Sequence, residues 1–361
     1  MASPLQGVGG IEGRHQQISG LRSSLEAYRS TGSKNIYIQI PDLLSNLFVT
    51  DVKYSAGVIF SKNAARWGTF SGNIMLVAIL VDVLNDIQRI NKSLNNIIMI
   101  FINPQWQGSG FTDDLKLGAE TFISYFKDSD TKVIPLSTKG LTTIANIKCF
   151  EPILEQTKLF KEMIINSKLD KISTIGGDCG IEIIPISYLN KIYQEDICII
   201  YIDAHADLNT PESSPSKAFH GMPLRTLLGE GNEEFIGLLF SRLNPEQICY
   251  VGLRDLDEPE SKYIIQHNIT TITDCQFEYV QNKIKNFKNV YIHLDLDVLD
   301  KSEYEFSMFP TNNGSSVSDV AELIRKIKAN YNVVGFCITE STATTLEQLN
   351  PIKPIIEQIK R

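Results

Sequence analysis

The sequence predicts an α/β protein with three layers, α/β/α, built around a mostly parallel sheet. Two observations support this fold class. From residue 96 onward, short runs rich in isoleucine and valine alternate with segments that have a helical pattern. The runs are apolar almost throughout, as expected of strands that are covered by helices on both faces. Regular alternation of strands and helices favours a parallel sheet.

The apolar runs predict strands, and the segments between them predict helices. Strands are predicted at 97–103, 132–137, 171–177, 197–203, 247–253, 289–297 and 332–339. Helices are predicted between or after them at 221–228, 258–266, 316–329 and 346–360. In sheets of this kind, ligands bind beyond the carboxyl ends of the strands. A functional site is therefore expected where these runs end.

The N-terminal part of the chain fits this pattern less well. Residues 1–35 contain Ile11-Glu12-Gly13-Arg14, which resembles a factor Xa cleavage site, and they are interpreted as a disordered or artificially added segment. Residues 36–95 are interpreted as an N-terminal extension with a strand near 36–40 and a helix near 74–91. The main domain is predicted to span 96–361.

Composition indicates a globular protein and disfavours several classes of partner. The chain has 361 residues, 43% of them hydrophobic, and a net charge of −8, which argues against nucleic acid and anionic membranes as partners. Its longest apolar stretch, 74–84, is about half of the ~20 residues that a membrane span needs. No secretory signal is recognisable. The scattered cysteines are typical of core thiols in a reducing compartment, so a cytoplasmic location is predicted; these are Cys149, Cys179, Cys198, Cys249, Cys275 and Cys337.

Acidic residues gather where two of the predicted strands end. Asp203, His205 and Asp207 alternate along one segment, as do Asp295 and Asp297 along another. Alternation in an extended chain directs such side chains to the same side. Four carboxylates at one sheet edge repel one another unless cations neutralise them. A single D-x-D could be two solvated aspartates, but two such motifs and a Gly-Gly-Asp turn favour a site for Mn²⁺ or a similar ion, with ligands enough for two.

Taken together in order, the segments GGDC, DAHADLNT, HGMP, GLRDLD and HLDLDVLD resemble the ureohydrolase family, which includes arginase, agmatinase and formiminoglutamase. The resemblance runs from about residue 96 to the C-terminus. It implies an arginase-like fold with about eight strands and a catalytic domain over 96–361. It also implies two manganese ions, a small guanidino substrate, and a homo-oligomer that is a trimer or hexamer.

The resemblance further implies a role for each metal ligand. Asp203 and Asp295 would bridge the two ions, and a hydroxide between the ions would attack the guanidinium carbon. One ion would be completed by Cys179 and Asp207, and the other by His205 and Asp297.

Other positions would correspond to the family's substrate-binding and catalytic residues. Asn209 and Ser216 would bind the α-carboxylate of arginine, and Asp257, with Glu260 close behind, would face its α-ammonium group. The catalytic residues would be His220, a proton shuttle to the leaving amine, Glu340, a carboxylate against the guanidinium, and Asp207. Simpler alternatives remain: Asn209 as a turn residue and His220 as a helix cap. His293, beside Asp295, is interpreted as a supporting or core histidine rather than a ligand.

Three departures from the family pattern leave the substrate open. Cys179 replaces a histidine, Ser216-Lys217-Ala218 replaces Ser-Gly-Asn, and Phe309 replaces a threonine. A thiolate is a soft ligand, so Cys179 is expected to hold Mn²⁺ weakly or to hold another divalent metal, unless it is a buried thiol without a metal.

The favoured function is hydrolysis of L-arginine to L-ornithine and urea. Agmatine, formiminoglutamate or another amidino compound is the alternative substrate. A metal-deficient protein with a binding or regulatory role is the alternative from another class. A third alternative, a single-zinc relative of the deacetylases, is disfavoured because both carboxylate motifs are intact.

Overall fold

The isoleucine-rich runs form a parallel sheet in a computed structural model that describes residues 99–359. The predicted segment 1–35 and extension 36–95 lie outside the described residues, so the domain boundaries stay predictions. Among the described residues, no helix is long and apolar enough to cross a bilayer.

The sheet has eight strands, all parallel, in the order β2-β1-β3-β8-β7-β4-β5-β6. All seven predicted strands are present, and the predicted fold class is confirmed. The eighth, β6, is not among the predicted strands. The strands are β1 (Ile100–Ile102), β2 (Thr131–Val133), β3 (Ile172–Ile175), β4 (Ile197–Ile202), β5 (Ile248–Val251), β6 (Thr270–Ile272), β7 (Asn289–Asp295) and β8 (Asn332–Thr339).

Helices connect the strands. They are α1 (Asp114–Tyr125), α2 (Phe150–Ser167), α3 (Ile183–Ile192), α4 (Pro223–Leu227), α5 (Glu233–Ile236), α6 (Glu258–Gln266), α7 (Phe277–Ile284), α8 (Val317–Asn330) and α9 (Lys353–Ile356). The predicted helix over 346–360 is wrong in its length. Only α9 is α-helical there, because Pro351 and Pro354 interrupt the backbone hydrogen bonding that a longer helix requires.

Strand side chains alternate between two apolar cores, one on each face of the sheet. In β4, Cys198, Ile200 and Ile202 belong to the core beneath α1, α7, α8 and α9. Ile199 and Tyr201 point to the opposite core, which is covered by α2 through α6. The sheet is therefore buried on both faces, which is why its strands are apolar throughout.

Candidate functional site

Four neighbouring strands end at one place on the sheet. Cys179 follows β3, Asp203 follows β4, Asp295 is the last residue of β7, and Glu340 follows β8. Because β3, β8, β7 and β4 are adjacent and parallel, their carboxyl ends meet at one edge. The prediction that polar residues converge there is confirmed by the geometry below.

The turn after β3 depends on two glycines. Gly176 and Gly177 have φ values of 85° and 75°, and a Cβ on Gly177 would lie 2.5 Å from the carbonyl oxygen of Asn103. The following Asp178 is buried and accepts backbone N–H bonds from Gly108 and Gly180, each at 2.9 Å. This carboxylate fixes the loop, and the next residue, Cys179, reaches the site cavity.

Two groups of side chains could each hold a cation. The first consists of Cys179, Asp203, His293 and Asp295, whose ligand atoms all lie within 4.8 Å of one another. Sγ of Cys179 lies 3.1 Å from Oδ2 of Asp295. The second group shares Asp203 and adds His205 and Asp297, with Nδ1 of His205 2.8 Å from Oδ2 of Asp297. Asp203 belongs to both groups, so its carboxylate could contribute to either cation site.

The electrostatics of this cluster fit divalent cations. Burial and the charge of Asp297 raise the pKa values of both Asp203 and Asp295. Burial and the charge of Asp295 raise the pKa of the Cys179 thiol well above its usual value. A bound cation favours the charged forms of all three groups and reverses these shifts. The donor set of carboxylates, imidazoles and one sulfur is therefore suited to transition-metal ions.

The imidazole of His205 reflects the same negative field. Burial opposes a charge on this ring, but its hydrogen bond to Asp297 and the nearby carboxylates raise its pKa to about 10.

Asp207 lies outside both cation groups. Its backbone has a φ of 53°, and its Oδ2 accepts a hydrogen bond from the hydroxyl of Tyr201 at 2.6 Å. Its assignment as a metal ligand stays a prediction.

A cavity of about 250 Å³ opens over the cluster. All the predicted site residues except Asp203 line the cavity. They form one continuous wall: Cys179, His205, Asp207, Asn209, Ser216, His220, Asp257, Glu260, Asp295, Asp297 and Glu340.

One end of the cavity is organised around the start of α6. Nδ2 of Asn209 donates to Oδ2 of Asp257 at 2.9 Å, and Ser213 donates to the side-chain oxygen of Asn209 at 2.8 Å. The two oxygens of Glu260 accept the backbone N–H groups of Leu208 and Asp257, at 2.9 and 3.0 Å. Glu260 therefore ties α6 to the loop after β4 as well as lining the cavity.

Lys217, one of the departures noted in the sequence, does not line this cavity. Its ammonium donates to the carbonyl oxygens of Pro211, at 2.8 Å, and Glu212, at 3.2 Å. The cation is used within its own loop, so it leaves Asn209 and Ser216 accessible to a ligand.

Another part of the cavity lining contains a buried acceptor that has no hydrogen-bond partner among the described residues. Nδ1 of His220 lies 2.9 Å from Oε1 of Glu340. Oε2 of Glu340 is buried and has no hydrogen-bond partner among the described residues. Burial opposes a charge on His220, but Glu340 outweighs it and raises the pKa of this imidazole to about 9. A buried carboxylate oxygen that lines a cavity without a donor is suited to a cationic ligand with N–H groups.

An aromatic wall narrows the cavity beside His220. The rings of Phe111 and Phe309 meet edge to face with centroids 5.7 Å apart, and Phe309 lies 5.6 Å from the His220 ring. Both phenylalanines line the cavity. The departure at Phe309 therefore places an apolar ring where the resemblance expects a hydroxyl.

Several residues that shape the site were not identified from the sequence. Glu182 is buried and hydrogen-bonded to His293 and to the hydroxyl of Tyr291. Tyr201 supports Asp207, and the hydroxyl of Thr339 lies 3.4 Å from Sγ of Cys179. A glutamate three residues after Cys179 in an apolar segment was the available signal, because a buried acid needs partners.

The chain is similar to known arginases in sequence and fold. Residues 124–347 match the family model described as Arginase family. An arginase of Staphylococcus aureus (strain MRSA252) is 38% identical over 188 residues, which cover 48% of this chain and 62% of that relative. An arginase of Bacillus subtilis (strain 168) is 35% identical over 140 residues, covering 36% of this chain and 47% of the relative. The matched regions thus span less than two thirds of each relative.

Solved structures show the same fold. A crystal structure of Entamoeba histolytica arginase in complex with L-ornithine has a TM-score of 0.66 at 20% identity, and the match covers 73% of this chain and 97% of that one. Proclavaminate amidino hydrolase from Streptomyces clavuligerus has a TM-score of 0.56 at 16% identity, covering 73% and 90%.

Proposed function

Because the chain belongs to the arginase family, we propose that it is a metal-dependent amidinohydrolase that releases urea from a guanidino compound, with L-arginine as the favoured substrate. The observation that supports this most directly is Oε2 of Glu340. This acceptor is buried, belongs to a residue that lines the cavity, and has no donor among the described residues. A planar guanidinium has N–H donors on all three nitrogens, and it pairs well with a carboxylate.

The metal groups supply the nucleophile in this proposal. Cys179, Asp203 and Asp295 would hold one ion, and Asp203, His205 and Asp297 the other. Two divalent cations at these positions lower the pKa of water enough to make hydroxide available at neutral pH. Manganese is the first choice for an oxygen-rich pair of sites, while sulfur from Cys179 makes its own ion the more variable one.

His220 is placed to act as a proton donor. Its pKa of about 9 keeps the ring protonated at neutral pH, and its hydrogen bond to Glu340 holds it in the cavity wall. A protonated imidazole beside the scissile C–N bond can transfer a proton to the leaving amine. Glu340 thus both orients this donor and offers its second oxygen to the guanidinium.

The opposite end of the cavity supports an amino acid as the substrate. One N–H of the Asn209 amide and the hydroxyl of Ser216 can donate to an α-carboxylate. The carboxylate of Asp257 can pair with an α-ammonium group. A carboxylate for the guanidinium, together with hydrogen-bond donors and a second carboxylate for the amino-acid group, would select both the length and the direction of a linear substrate.

The experiment is urea release from a panel of guanidino compounds by protein that has been loaded with manganese. The panel contains L-arginine, agmatine, 5-guanidinopentanoate and formimino-L-glutamate. Hydrolysis of formimino-L-glutamate is measured as release of formamide instead of urea. Turnover of L-arginine above all others supports the proposal. Faster turnover of agmatine or formimino-L-glutamate would identify that compound as the substrate instead of L-arginine. Binding of arginine without turnover would favour a binding or regulatory protein.

Assembly and location complete the proposal. As in the family that the sequence resembles, we expect a cytoplasmic homo-oligomer, a trimer or hexamer. Light scattering coupled to gel filtration would measure the mass, and a monomer at micromolar concentration would contradict it.

A further inference from the structure

We propose that His293 is a ligand of the ion held by Cys179, so that this ion is bound by sulfur and nitrogen together with carboxylates. The inference rests on the proposed binding of metal, but not on the identity of the substrate or on turnover.

The ring of His293 is fixed in orientation. Its Nδ1 is hydrogen-bonded to Oε2 of Glu182, whose other oxygen accepts from the hydroxyl of Tyr291 at 2.7 Å. The ring stacks on Tyr201 with centroids 3.6 Å apart and planes 7° from parallel. His293 and Glu182 are both fully buried. A histidine that binds a metal commonly donates its other ring N–H to a carboxylate in this way, which fixes the tautomer.

The remaining nitrogen is directed into the first cation group. Nε2 of His293 lies 3.3 Å from Oδ2 of Asp203. A ring nitrogen of His293 also lies within 4.8 Å of the ligand atoms of Cys179 and Asp295. A neutral imidazole that donates through Nδ1 has a lone pair on Nε2. That lone pair and Oδ2 of Asp203 are close enough to bind one cation together, and without a metal a proton on Nε2 would occupy the same contact.

The position of His293 compensates for the cysteine. Cys179 comes from the turn after β3, whereas His293 lies on β7, two residues before Asp295. An imidazole nitrogen thus reaches the first cation group from a different strand. The resulting set of one sulfur, one nitrogen and two carboxylates is softer than an all-oxygen site. It should select zinc or cobalt over manganese.

X-ray absorption of the metal-free protein loaded with one equivalent of zinc tests the ligand set directly. The wild type should show one sulfur and one imidazole nitrogen around zinc. The informative variant is His205→Asn, because this half-buried side chain belongs to the second group and its replacement leaves His293 as the nearest imidazole. In that variant the sulfur and imidazole shells should both remain.

In His293→Asn, the zinc spectrum should lose the imidazole shell and keep the sulfur shell. Zinc should bind about 100-fold more weakly, which is the upper end of the loss in metal affinity seen when residues that support metal ligands are replaced. His267→Asn is the matched control, since this ring stacks on Tyr263 away from the cluster. Its zinc affinity and its sulfur and imidazole shells should equal those of the wild type. Loss of imidazole scattering in His205→Asn, or zinc without sulfur in the wild type, would overturn the proposal.

These results do not depend on catalysis. Zinc bound by sulfur and imidazole in a protein that releases no urea would support His293 and contradict the proposed function. Urea release by the wild type, together with an imidazole shell that disappears in His205→Asn, would support the proposed function and contradict His293 as a ligand. If His293→Asn does not fold, the wild type and His205→Asn still decide between the two histidines.

Discussion

Nδ2 of Asn209 donates a hydrogen bond to Oδ2 of Asp257 across 2.9 Å, so the loop after β4 and the first residue before α6 hold each other. Both side chains line the cavity, as Glu340 does. The amide is also fixed by Ser213. A substrate would therefore meet preorganised groups, which reduces the entropy lost on binding.

This arrangement predicts that arginine is hydrolysed faster than agmatine, which has the amine but no carboxylate. Asn209→Ala should lower kcat/KM for arginine by about 30-fold, corresponding to about 2 kcal/mol for a hydrogen bond to a charged group. Its effect on agmatine should be much smaller. The measurement is steady-state urea release with both substrates.

Asp257→Asn provides the matched comparison. It should slow arginine and agmatine alike, because both have an ammonium group, and should spare 5-guanidinopentanoate, which has none. Equal or better turnover of agmatine by the wild type would refute these assignments.

The pairing of His220 with Glu340 predicts a measurable titration. Glu340→Gln should lower the pKa of His220 from about 9 toward its ordinary value, because the attracting charge is removed while burial remains. The measurement is an NMR titration of the imidazole protons in metal-free protein, with His220→Asn used to assign the signal.

The same pairing fixes a pH window for stability. A histidine whose pKa is raised by folding contributes stability that is complete below about 6.5 and is lost as pH rises through about 9. The contribution of the His220–Glu340 pair to the free energy of unfolding should therefore be larger at pH 6 than at pH 10. Double-mutant cycles by thermal unfolding at both values would detect it, and a pH-independent coupling would contradict the ion pair.

Asp295 is predicted to be essential for metal binding. Asp295→Asn should remove both metal and urea release, because a neutral amide cannot balance the charge of two cations. Metal content per chain, measured by mass spectrometry after dialysis, checks this. Asp170→Asn, an exposed aspartate outside both groups, is the control. A variant that kept two ions and most of its activity would place the metal centre elsewhere.

Cys179 predicts that the two ions bind with different affinity. The wild type should hold one manganese tightly and one weakly, since sulfur is a poor ligand for Mn²⁺. Cys179→His should raise manganese occupancy and urea release together, and should reduce the relative preference for zinc. Titration with manganese, followed by its paramagnetic resonance signal, resolves the two affinities. Two equally tight ions in the wild type, with no gain from histidine, would reject this prediction.

The sequence predicted the sheet better than the helices, for local reasons. Buried parallel strands are isoleucine-rich runs, and seven were found from that feature alone. The helix α3 was not, because Ile183, Ile184, Pro185 and Ile186 have the composition of a strand and only tertiary packing makes them helical. The helix α6 was predicted over 258–266 and has those bounds, since Asp257 and Glu260 form a capping box that is visible in the sequence.

The candidate site shows a similar division. Spacing along a strand predicted that Asp203 and Asp295 would converge, because alternation and the parallel sheet determine where such residues lie. Nothing in the spacing indicates that Glu182 holds His293, since residues 111 positions apart meet only through the fold. The Glu340 oxygen that has no partner among the described residues also depends on three-dimensional packing. The left-handed φ of 61° at Glu340 could not be inferred from a glutamate at the end of a strand.

The strand nearest the C-terminus lies in the middle of the sheet, and this has a consequence for biosynthesis. Since β8 separates β3 from β7, the sheet of a nascent chain remains in two halves until residues 332–339 have left the ribosome. Before that moment the carboxylates after β4 and β7 lack Glu340 and Thr339 beside them, and apolar strand edges are exposed. The growing polypeptide should therefore depend on chaperones until β8 has emerged, and metal uptake should follow the insertion of β8 rather than precede it.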